Sequence, residues 1–294
     1  MSEENLNMPG VKERIAGIVD NIDSLPSLPS IVMKLMEVVN SSDSSAEDAA
    51  ELIEKDPALT SKMIRLANSA FYGIPRSISS VTSAVMVLGF NTIRSLVLSA
   101  SVAKIFDGKH SLDMDRFWKH SVVTAMVSKI IVRHFMGVRM MDPESAFCAG
   151  VLHDIGKLIF SQHLPDDYAA VCDYAKKNNV PLVTAESSLL GINHAQMGKI
   201  LSDKWSLPLD LEYAIVKHHN PEQADKAVHL VNIIHLADII SHDVGCSQWD
   251  GEVHTGEGAS CREALNLGDA DFEKIMVNVE NSLEKSQEFL AILK

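Results

Sequence analysis

The sequence contains few cysteines and few aromatic residues, and it has no long apolar run. Its four cysteines form no CxxC pair, which argues against a thiolate zinc site and a thioredoxin-type redox motif. The longest apolar stretches, such as 83–88 and 151–160, are too short or too interrupted to span a bilayer. The first 25 residues show no basic segment followed by an apolar one, so no secretory signal is expected. We therefore expect a cytoplasmic protein with reduced thiols and no membrane partner.

Basic residues are also fewer than acidic ones: the sequence has 26 lysines and arginines and 39 aspartates and glutamates. The net charge is therefore −13. This balance argues against a protein that binds nucleic acid mainly by neutralising phosphates. The composition is nevertheless not that of a disordered chain, because 46% of the residues are hydrophobic and only 22% are charged. A length of 294 residues is enough for one large domain or two packed ones.

Sustained alternation of apolar and polar residues, the pattern of β-strands, is absent, and most segments show helical periodicity instead. Ser45, followed by acidic residues, predicts one helix start. Asp56-Pro57 predicts the end of that helix and the start of the next. Farther along, the pattern predicts helices at about 143–161 and 208–219. The sequence therefore predicts an all-α fold.

The histidines are distributed unevenly, since all 12 lie at or beyond position 110. Together with the turn signals around 107–110, this distribution predicts two lobes. The predicted segments are an N-terminal extension at 1–14, a helical lobe at 15–109, a histidine-containing lobe at 110–243, a loop at 244–269 and a C-terminal helix at 270–294. The C-terminal helix could pack on either lobe or on a partner chain.

One set of histidines and aspartates has the spacing of metal ligands on neighbouring helices. It consists of His120, His153, Asp154, His194, His218, His219 and Asp238. Gaps of 19 to 40 residues separate its parts, and each gap suits one helix and a connection. Mixed imidazole and carboxylate ligands suit iron, manganese, zinc or nickel better than calcium or magnesium. The alternative is that each histidine is an ordinary core or surface residue of its helix.

Two details of this set favour a metal site. His153 and Asp154 are adjacent, and a carboxylate can bridge two ions because the lone pairs of its oxygens face different directions. His218 and His219 diverge by about 100° on a helix, so both can face one site only near a helix end. Asn220-Pro221 supplies that end, because the residue before a proline disfavours the helical conformation.

Lys157 and His235 are further candidates near the set. Lys157 follows His153 by four residues, so its ammonium could reach a bound phosphate; the alternative is a solvated helix lysine. His235 precedes Asp238 by three residues and could be a ligand or a support for one. Gly156 leaves room for a helix or a substrate to approach closely.

The order of these residues resembles the HD superfamily of metal-dependent phosphohydrolases, and most closely its HDOD branch. The shared motifs run in order along residues 15 to 242: Leu25-Pro26-Ser27-Leu28-Pro29, Asp56-Pro57-Ala58-Leu59, Leu66-Ala67-Asn68-Ser69-Ala70, Ala84-Val85-Met86-Val87-Leu88-Gly89, Gly150-Val151-Leu152-His153-Asp154-Ile155-Gly156-Lys157, Glu186 with Gly191 and His194, and Trp205-Ser206-Leu207-Pro208. The resemblance implies a two-lobed helical bundle, in which an N-terminal lobe of short helices packs on a metal-binding lobe. It also implies an output module of bacterial signal transduction.

Comparison with the related HD-GYP phosphodiesterases implies two metal ions. One would bind His120, His153, Asp154 and Asp238, and the other would bind Asp154, His194, His218 and His219. Two departures from those enzymes count against hydrolysis of cyclic di-GMP. Arg116 stands where enzymes with a third ion have a glutamate, and the residues after His219 lack the GYP element.

Three functions are compatible with these features. The first is a signalling output module that binds a signalling protein or a small phosphorylated ligand and performs no chemistry. The second is an active phosphohydrolase for a nucleotide or cyclic nucleotide, in which Asp154 bridges the ions and Lys157 neutralises the departing phosphate. The third is a scaffold whose metals are structural. The missing GYP element and the additional lobe favour the first function, whereas the complete ligand set favours the second. We predict an output module that retains the two-ion centre, with the phosphohydrolase as its alternative.

Overall fold

The structure, a computed structural model, describes residues 8, 10–40, 44–134, 141–249, 252–253 and 258–293. These residues form α-helices, short 3₁₀ turns and connections, and no strand occurs among them. The predicted all-α fold is confirmed. No helix in the described part of the chain has both the length and the apolar character that a membrane crossing requires.

Seventeen α-helices lie within the described residues. In chain order they are α1 (Val11–Asp20), α2 (Ser30–Asn40), α3 (Ala46–Ile53), α4 (Pro57–Ala67), α5 (Val81–Leu88), α6 (Phe90–Ile105), α7 (Met114–His134), α8 (Pro143–Leu152), α9 (Ile155–His163), α10 (Pro165–Asn178), α11 (Leu182–Leu190), α12 (His194–Lys204), α13 (Leu209–Lys217), α14 (Val228–Asp243), α15 (Ala259–Ala264), α16 (Asp269–Glu280) and α17 (Leu283–Leu293). Most are too short to be stable in isolation, so packing between helices stabilises the fold.

Contacts between residues divide the chain into two compact units. The first unit takes the described residues of Met1–Ser27, Gly108–Ser121 and Leu152–Asn266. The second takes those of Leu28–Asp107, Val122–Val151 and Leu267–Lys294. Each unit therefore combines stretches that are distant in sequence. The boundaries predicted for the segments along the chain stay a prediction.

Capping residues start two helices of the second unit as the sequence predicts. Ser45 and Asp48 form a reciprocal capping box at the start of α3. The Asp56 carboxylate accepts hydrogen bonds from two backbone amides in the first turn of α4, and Pro57 is the first residue of that helix. These local bonds satisfy amides that have no partner within the helix.

In the first unit, α9 and α12 approach closely at Gly156. A Cβ atom added to Gly156 would lie 1.9 Å from the backbone oxygen of His194 and 2.8 Å from the backbone nitrogen of Gly198. Glycine alone permits this approach, as the sequence predicts for a neighbouring helix. The contact holds His194, the first residue of α12, beside the start of α9.

The helix predicted at 143–161 is broken in the structure. α8 ends at Leu152, α9 begins at Ile155, and His153 and Asp154 form the turn between them. Helical periodicity continues on both sides of this turn, which is why the sequence pattern does not show it. In a continuous helix the two side chains would diverge by about 100°, and the turn lets both face the same site.

The predicted loop at 244–269 contains a short helix, α15. Cys261 and the following Leu265 are buried, and α15 packs against α14 of the same unit. A helix of six residues is too short to give clear periodicity among so many glycines. Residues 250–251 and 254–257 of the predicted loop lie outside the described residues.

The two ends of the chain also differ from the prediction. α1 begins at Val11, inside the predicted N-terminal extension, of which residues 1–7 and 9 lie outside the described residues. The sequence predicts one C-terminal helix, whereas the structure has α16 and α17, separated by Asn281 and Ser282. Short polar side chains of this kind favour helix ends over helix interiors. Phe289 of α17 packs against Phe71, so this helix packs on the second unit.

Candidate metal centre

The structure brings all seven predicted ligand residues together in the first unit. They are His120 in α7, His153 and Asp154 in the turn before α9, His194 at the start of α12, His218 and His219 after α13, and Asp238 in α14. They form two groups, within each of which the candidate ligand atoms lie within 4.8 Å of one another. The three-residue group contains His120, His153 and Asp238, and the four-residue group contains Asp154, His194, His218 and His219.

Asp154 lies between the two groups and faces both. Its Oδ2 atom is 3.3 Å from Nε2 of His153 and 3.7 Å from Nε2 of His120. Its Oδ1 atom is 3.3 Å from Nε2 of His194 and 3.7 Å from Nε2 of His218. This Oδ1 atom is buried, and no hydrogen-bond donor of the described residues reaches it. A buried carboxylate oxygen without a donor is costly unless a cation lies nearby.

Backbone carbonyls orient two of the imidazoles. Nδ1 of His120 lies 2.9 Å from the carbonyl oxygen of Cys246, and Nδ1 of His218 lies 2.7 Å from that of Ile215. A carbonyl oxygen only accepts hydrogen bonds, so in both rings Nδ1 carries the proton. The neutral ring then has its lone pair on Nε2, the atom that faces the centre.

Glu186 orients a third imidazole, that of His194. Its Oε2 atom accepts hydrogen bonds from Nδ1 of His194 at 2.6 Å and from the backbone amide of His194 at 2.9 Å. Its Oε1 atom accepts a hydrogen bond from the hydroxyl of Tyr168 at 2.7 Å. The resemblance includes Glu186 among its motifs without giving it a role. The contacts show that it fixes the ring orientation of His194.

The Nε2 atoms face one another at short distances. The separation is 3.3 Å between His120 and His153, 3.4 Å between His194 and His218, and 2.8 Å between His194 and His219. Two nitrogen lone pairs at these distances repel each other unless a proton or a metal ion lies between them. Imidazole nitrogens with carboxylate oxygens are a donor set that divalent transition metals bind. The residues present therefore fit a metal centre.

Both aspartates of the centre are held in the ionised form. Burial alone would raise the pKa of Asp154, but the neighbouring His153 and the ammonium of Lys157 hold that pKa well below its usual value. Burial would also raise the pKa of Asp238, but its side-chain contacts with His120 and His242 hold that pKa well below its usual value. Metal ligation requires a deprotonated carboxylate, and both groups meet that condition.

Lys157 is buried and hydrogen-bonded to Asp154. Its Nζ atom donates to Oδ2 of Asp154 at 2.7 Å, and only 4% of the residue is exposed, so the alternative of a solvated lysine is wrong. Burial would lower the pKa of this ammonium, but Asp154 and Glu252 raise it above its usual value. Because α9 starts after the turn, Lys157 pairs with Asp154 and not with His153. Its predicted role toward a phosphate stays a prediction.

The adjacent pair His218 and His219 follows a helix end, as the sequence predicts. α13 ends at Lys217, two residues before the end of the predicted helix at 208–219. Both Nε2 atoms then reach the Nε2 atom of His194. His219 is half-buried, whereas the other six ligand residues are buried. Burial, followed by the neighbouring imidazoles, lowers the pKa of His219 well below its usual value.

Two further histidines of α14 contact the ligand residues. Nδ1 of His235 donates a hydrogen bond to the carbonyl oxygen of His218, and His235 belongs to neither group of candidate ligands. These observations favour the predicted role of His235 as a support for a ligand residue over its role as a ligand. Nε2 of His242 lies 3.4 Å from Oδ1 of Asp238, and its ring packs 4.9 Å from that of His120. The sequence does carry a signal for His242, since it follows Asp238 by one helical turn.

Sequence reasoning misses Gln248, which reaches the centre from the segment after α14. Its Nε2 atom donates to Oδ2 of Asp154 at 2.8 Å, and its backbone amide donates to Glu252 at 2.8 Å. The segment has neither helical periodicity nor a motif, so only the folded chain reveals this contact.

Comparison with known proteins identifies the family. A model of the HDOD domain family matches residues 25–221 of the chain. The chain belongs to the HDOD family. The prediction from the sequence motifs is thereby confirmed, whereas the comparison with HD-GYP enzymes stays a prediction.

Two solved structures share this HDOD fold. An HDOD domain protein of unknown function from Geobacter sulfurreducens has a TM-score of 0.81 and 24% identity, and the match covers 98% of this chain and 99% of that chain. A candidate phosphohydrolase from Shewanella amazonensis SB2B has a TM-score of 0.76 and 26% identity, and the match covers 95% of this chain and 98% of that chain.

A longer relative matches the HDOD chain in part. This uncharacterised protein of Treponema pallidum (strain Nichols) is 24% identical over 193 residues, or 65% of the chain. The match covers 37% of the relative, so the HDOD chain corresponds to little more than a third of its length.

Proposed function

We propose that this HDOD chain is a signal-transduction output module that holds two divalent transition-metal ions. The observation that supports two ions is the position of Asp154, whose two oxygens face separate groups of imidazole nitrogens. One ion would bind His120, His153, Asp154 and Asp238, and the other would bind Asp154, His194, His218 and His219. Iron, manganese, zinc and nickel all suit this donor set.

The module would act by binding a signalling protein or a small phosphorylated ligand. The net charge of −13 argues against nucleic acid as that partner. A phosphate would approach the centre from the side of His219, because this is the half-buried member of the ligand set. Two metal ions there would supply the positive charge that an anionic ligand requires.

The alternative function is hydrolysis of a nucleotide or cyclic nucleotide. The complete donor set favours it, as does the 26% identity to a candidate phosphohydrolase. When bound, the ions would lower the pKa of a shared water and polarise a phosphoryl oxygen. Asp154 would bind both ions, and the hydrogen bond from Lys157 would keep its carboxylate ionised and oriented. The predicted contact between Lys157 and a departing phosphate would require this bond to open.

Metal analysis of the purified protein tests the metal centre. After anaerobic purification we expect about two equivalents of transition metal per chain. Asp154→Ala should lose most of this metal, because the residue belongs to both proposed ligand sets. Asp173→Ala, an exposed position in α10, is the matched control and should retain it. Less than about a tenth of an equivalent in the unaltered protein would contradict both the metal centre and the structural-metal scaffold.

Turnover measurements separate the three functions. Hydrolysis of a phosphodiester by the metal-loaded protein, abolished by Asp154→Ala and kept by Asp173→Ala, would favour the phosphohydrolase. Full metal occupancy without turnover, together with saturable binding of a phosphorylated ligand, would favour the output module. Full occupancy with neither activity, and unfolding on chelation, would favour the scaffold.

A further inference from the structure

Gln248 places a carboxamide inside the metal centre. Only 6% of the residue is exposed, and its Nε2 atom donates to Oδ2 of Asp154 at 2.8 Å. Its Oε1 atom is buried, and no hydrogen-bond donor of the described residues reaches it. The side chain is thus held by one hydrogen bond, and that bond goes to the carboxylate between the two groups of ligands.

The two oxygens of Asp154 differ in what they already bind. Oδ2 accepts two hydrogen bonds, from Lys157 at 2.7 Å and from Gln248 at 2.8 Å. Each carboxylate oxygen has two lone pairs, so these bonds fill the acceptor capacity of Oδ2. Oδ1 has no such donor. An ion in the four-residue group can therefore use Oδ1 directly, whereas an ion in the three-residue group must displace a donor from Oδ2.

Of the two donors to Oδ2 of Asp154, Gln248 is displaced more easily than Lys157. Lys157 is charged and belongs to α9 one turn after Asp154, and a charge-assisted bond is stronger than one from a neutral amide. Gln248 is neutral and lies in a non-helical segment. The same segment contacts the three-residue group, because the carbonyl of Cys246 accepts the Nδ1 proton of His120. A change at His120 is thereby coupled to the position of Gln248.

We propose that Gln248 makes the metal affinities of the two sites unequal, because its hydrogen bond to Asp154 must break before the second ion binds. We call this hydrogen-bonded side chain the latch. The first ion binds the four-residue group and leaves the latch closed. The second ion binds the three-residue group with Oδ2 of Asp154, and its binding displaces Gln248 from that oxygen. This inference rests on the proposed two-ion centre and adds an order of loading and a movement of the segment that contains Gln248.

Trp249 provides a reporter of that movement. The ring adjoins the latch residue and lies 5.2 Å from Nζ of Lys176. It is half-buried, whereas Trp118 and Trp205 are 5% and 1% exposed. A displacement of Gln248 should change the surroundings of Trp249, its neighbour in the chain.

The test is a titration of the chelator-treated protein with Zn²⁺, in which calorimetry measures binding and tryptophan fluorescence reports the movement. Zn²⁺ is chosen because its filled d shell leaves no redox change to complicate the signal. We expect two binding steps, with the fluorescence change confined to the second. In Gln248→Ala the second dissociation constant should fall about tenfold, since a hydrogen bond to a charged group is worth roughly that factor. The first step should not change.

Three further variants make the result specific. Gln248→Asn should match Gln248→Ala, because its shorter side chain cannot reach Asp154. Since the asparagine keeps the polar amide group, this variant replaces Gln248→Ala in the test if the alanine variant fails to fold. Gln287→Ala, an exposed position in α17, should behave like the unaltered protein. Trp249→Phe should keep both binding steps and lose the fluorescence change.

The outcomes distinguish the latch from the proposed function. Two ions bound with the same constants in the unaltered protein and in both Gln248 variants would overturn the latch and leave the two-ion centre intact. A fluorescence change in the first of two binding steps would also overturn the latch alone. Binding of a single ion by every variant would contradict the two-ion centre and, with it, the latch. No binding in any variant would contradict both the latch and the metal centre.

Discussion

The metal-binding nitrogen of an imidazole is selected by the hydrogen bond of the other ring nitrogen. In His194 that bond goes from Nδ1 to a buried carboxylate oxygen of Glu186 at 2.6 Å. We expect Glu186→Gln to weaken metal binding about 10- to 100-fold, because the amide no longer holds the ring and its protonation state as the carboxylate does. Calorimetric titration of the metal-free protein measures the change.

The same substitution at an exposed glutamate provides the control. Glu263→Gln, in α15, should leave the metal affinity within the error of the measurement. Equal affinities in Glu186→Gln and the unaltered protein would show that His194 either is not a ligand or does not depend on this contact.

At the scale of secondary-structure elements, the approach of α9 to α12 decides whether Asp154 and His194 meet. A methyl group on Gly156 would lie 1.9 Å from the backbone oxygen of His194, so the helices would have to separate. We expect Gly156→Ala to lower the free energy of unfolding by at least about 3 kcal/mol. It should also lower the metal content, because the separation moves His194 away from Asp154. Urea unfolding and elemental analysis measure the two effects.

Gly17 in α1 gives the opposite expectation for the same change. An added Cβ atom there meets nothing within 4 Å. Gly17→Ala should therefore raise stability by about 0.5–1 kcal/mol, because alanine is the better helix former. If Gly156→Ala were as stable as Gly17→Ala and kept its metal, the close approach would not be required.

At the scale of the whole molecule, a buried ion pair contributes to the stability of the second unit. Lys129 of α7 pairs with Glu144 of α8, and its ammonium lies 4.7 Å from the ring of Tyr72 and 5.2 Å from that of Phe71. We expect Glu144→Gln to lower the free energy of unfolding by about 3–5 kcal/mol, because it leaves a buried charge without its partner. Glu284→Gln, exposed on α17, should change it by less than about 0.5 kcal/mol.

The pH dependence of unfolding gives this prediction a second measurement. Burial lowers the pKa of Lys129 below its usual 10.5, although Glu144 partly opposes the shift. The unfolded chain then binds more protons than the folded one between the two pKa values. The contribution of Lys129 to stability should therefore rise with pH up to about 10.5, and more steeply in Glu144→Gln, where the opposing charge is gone, so the stability lost in this variant should shrink as the pH rises. Equal slopes in the variant and the unaltered protein would contradict this account.

Much of the fold and the identity of the candidate ligands could be predicted from the sequence. The caps at Ser45 and Asp56 act within a few residues, so local composition reveals the helix starts. The turn at His153 and Asp154 could not be predicted in the same way. Periodicity continues on both sides of it, and the energy that stabilises the turn comes from distant residues.

The sequence by itself determined that the chain is helical, that it belongs to the HDOD family and which side chains are available to bind metal. The tertiary structure alone decided which imidazole nitrogen faces the centre and which donors occupy each oxygen of Asp154. Helix periodicity and capping depend on neighbours in the chain, and so they are visible in its order. The orientation of His120 instead depends on a carbonyl 126 residues away, and only packing brings the two together.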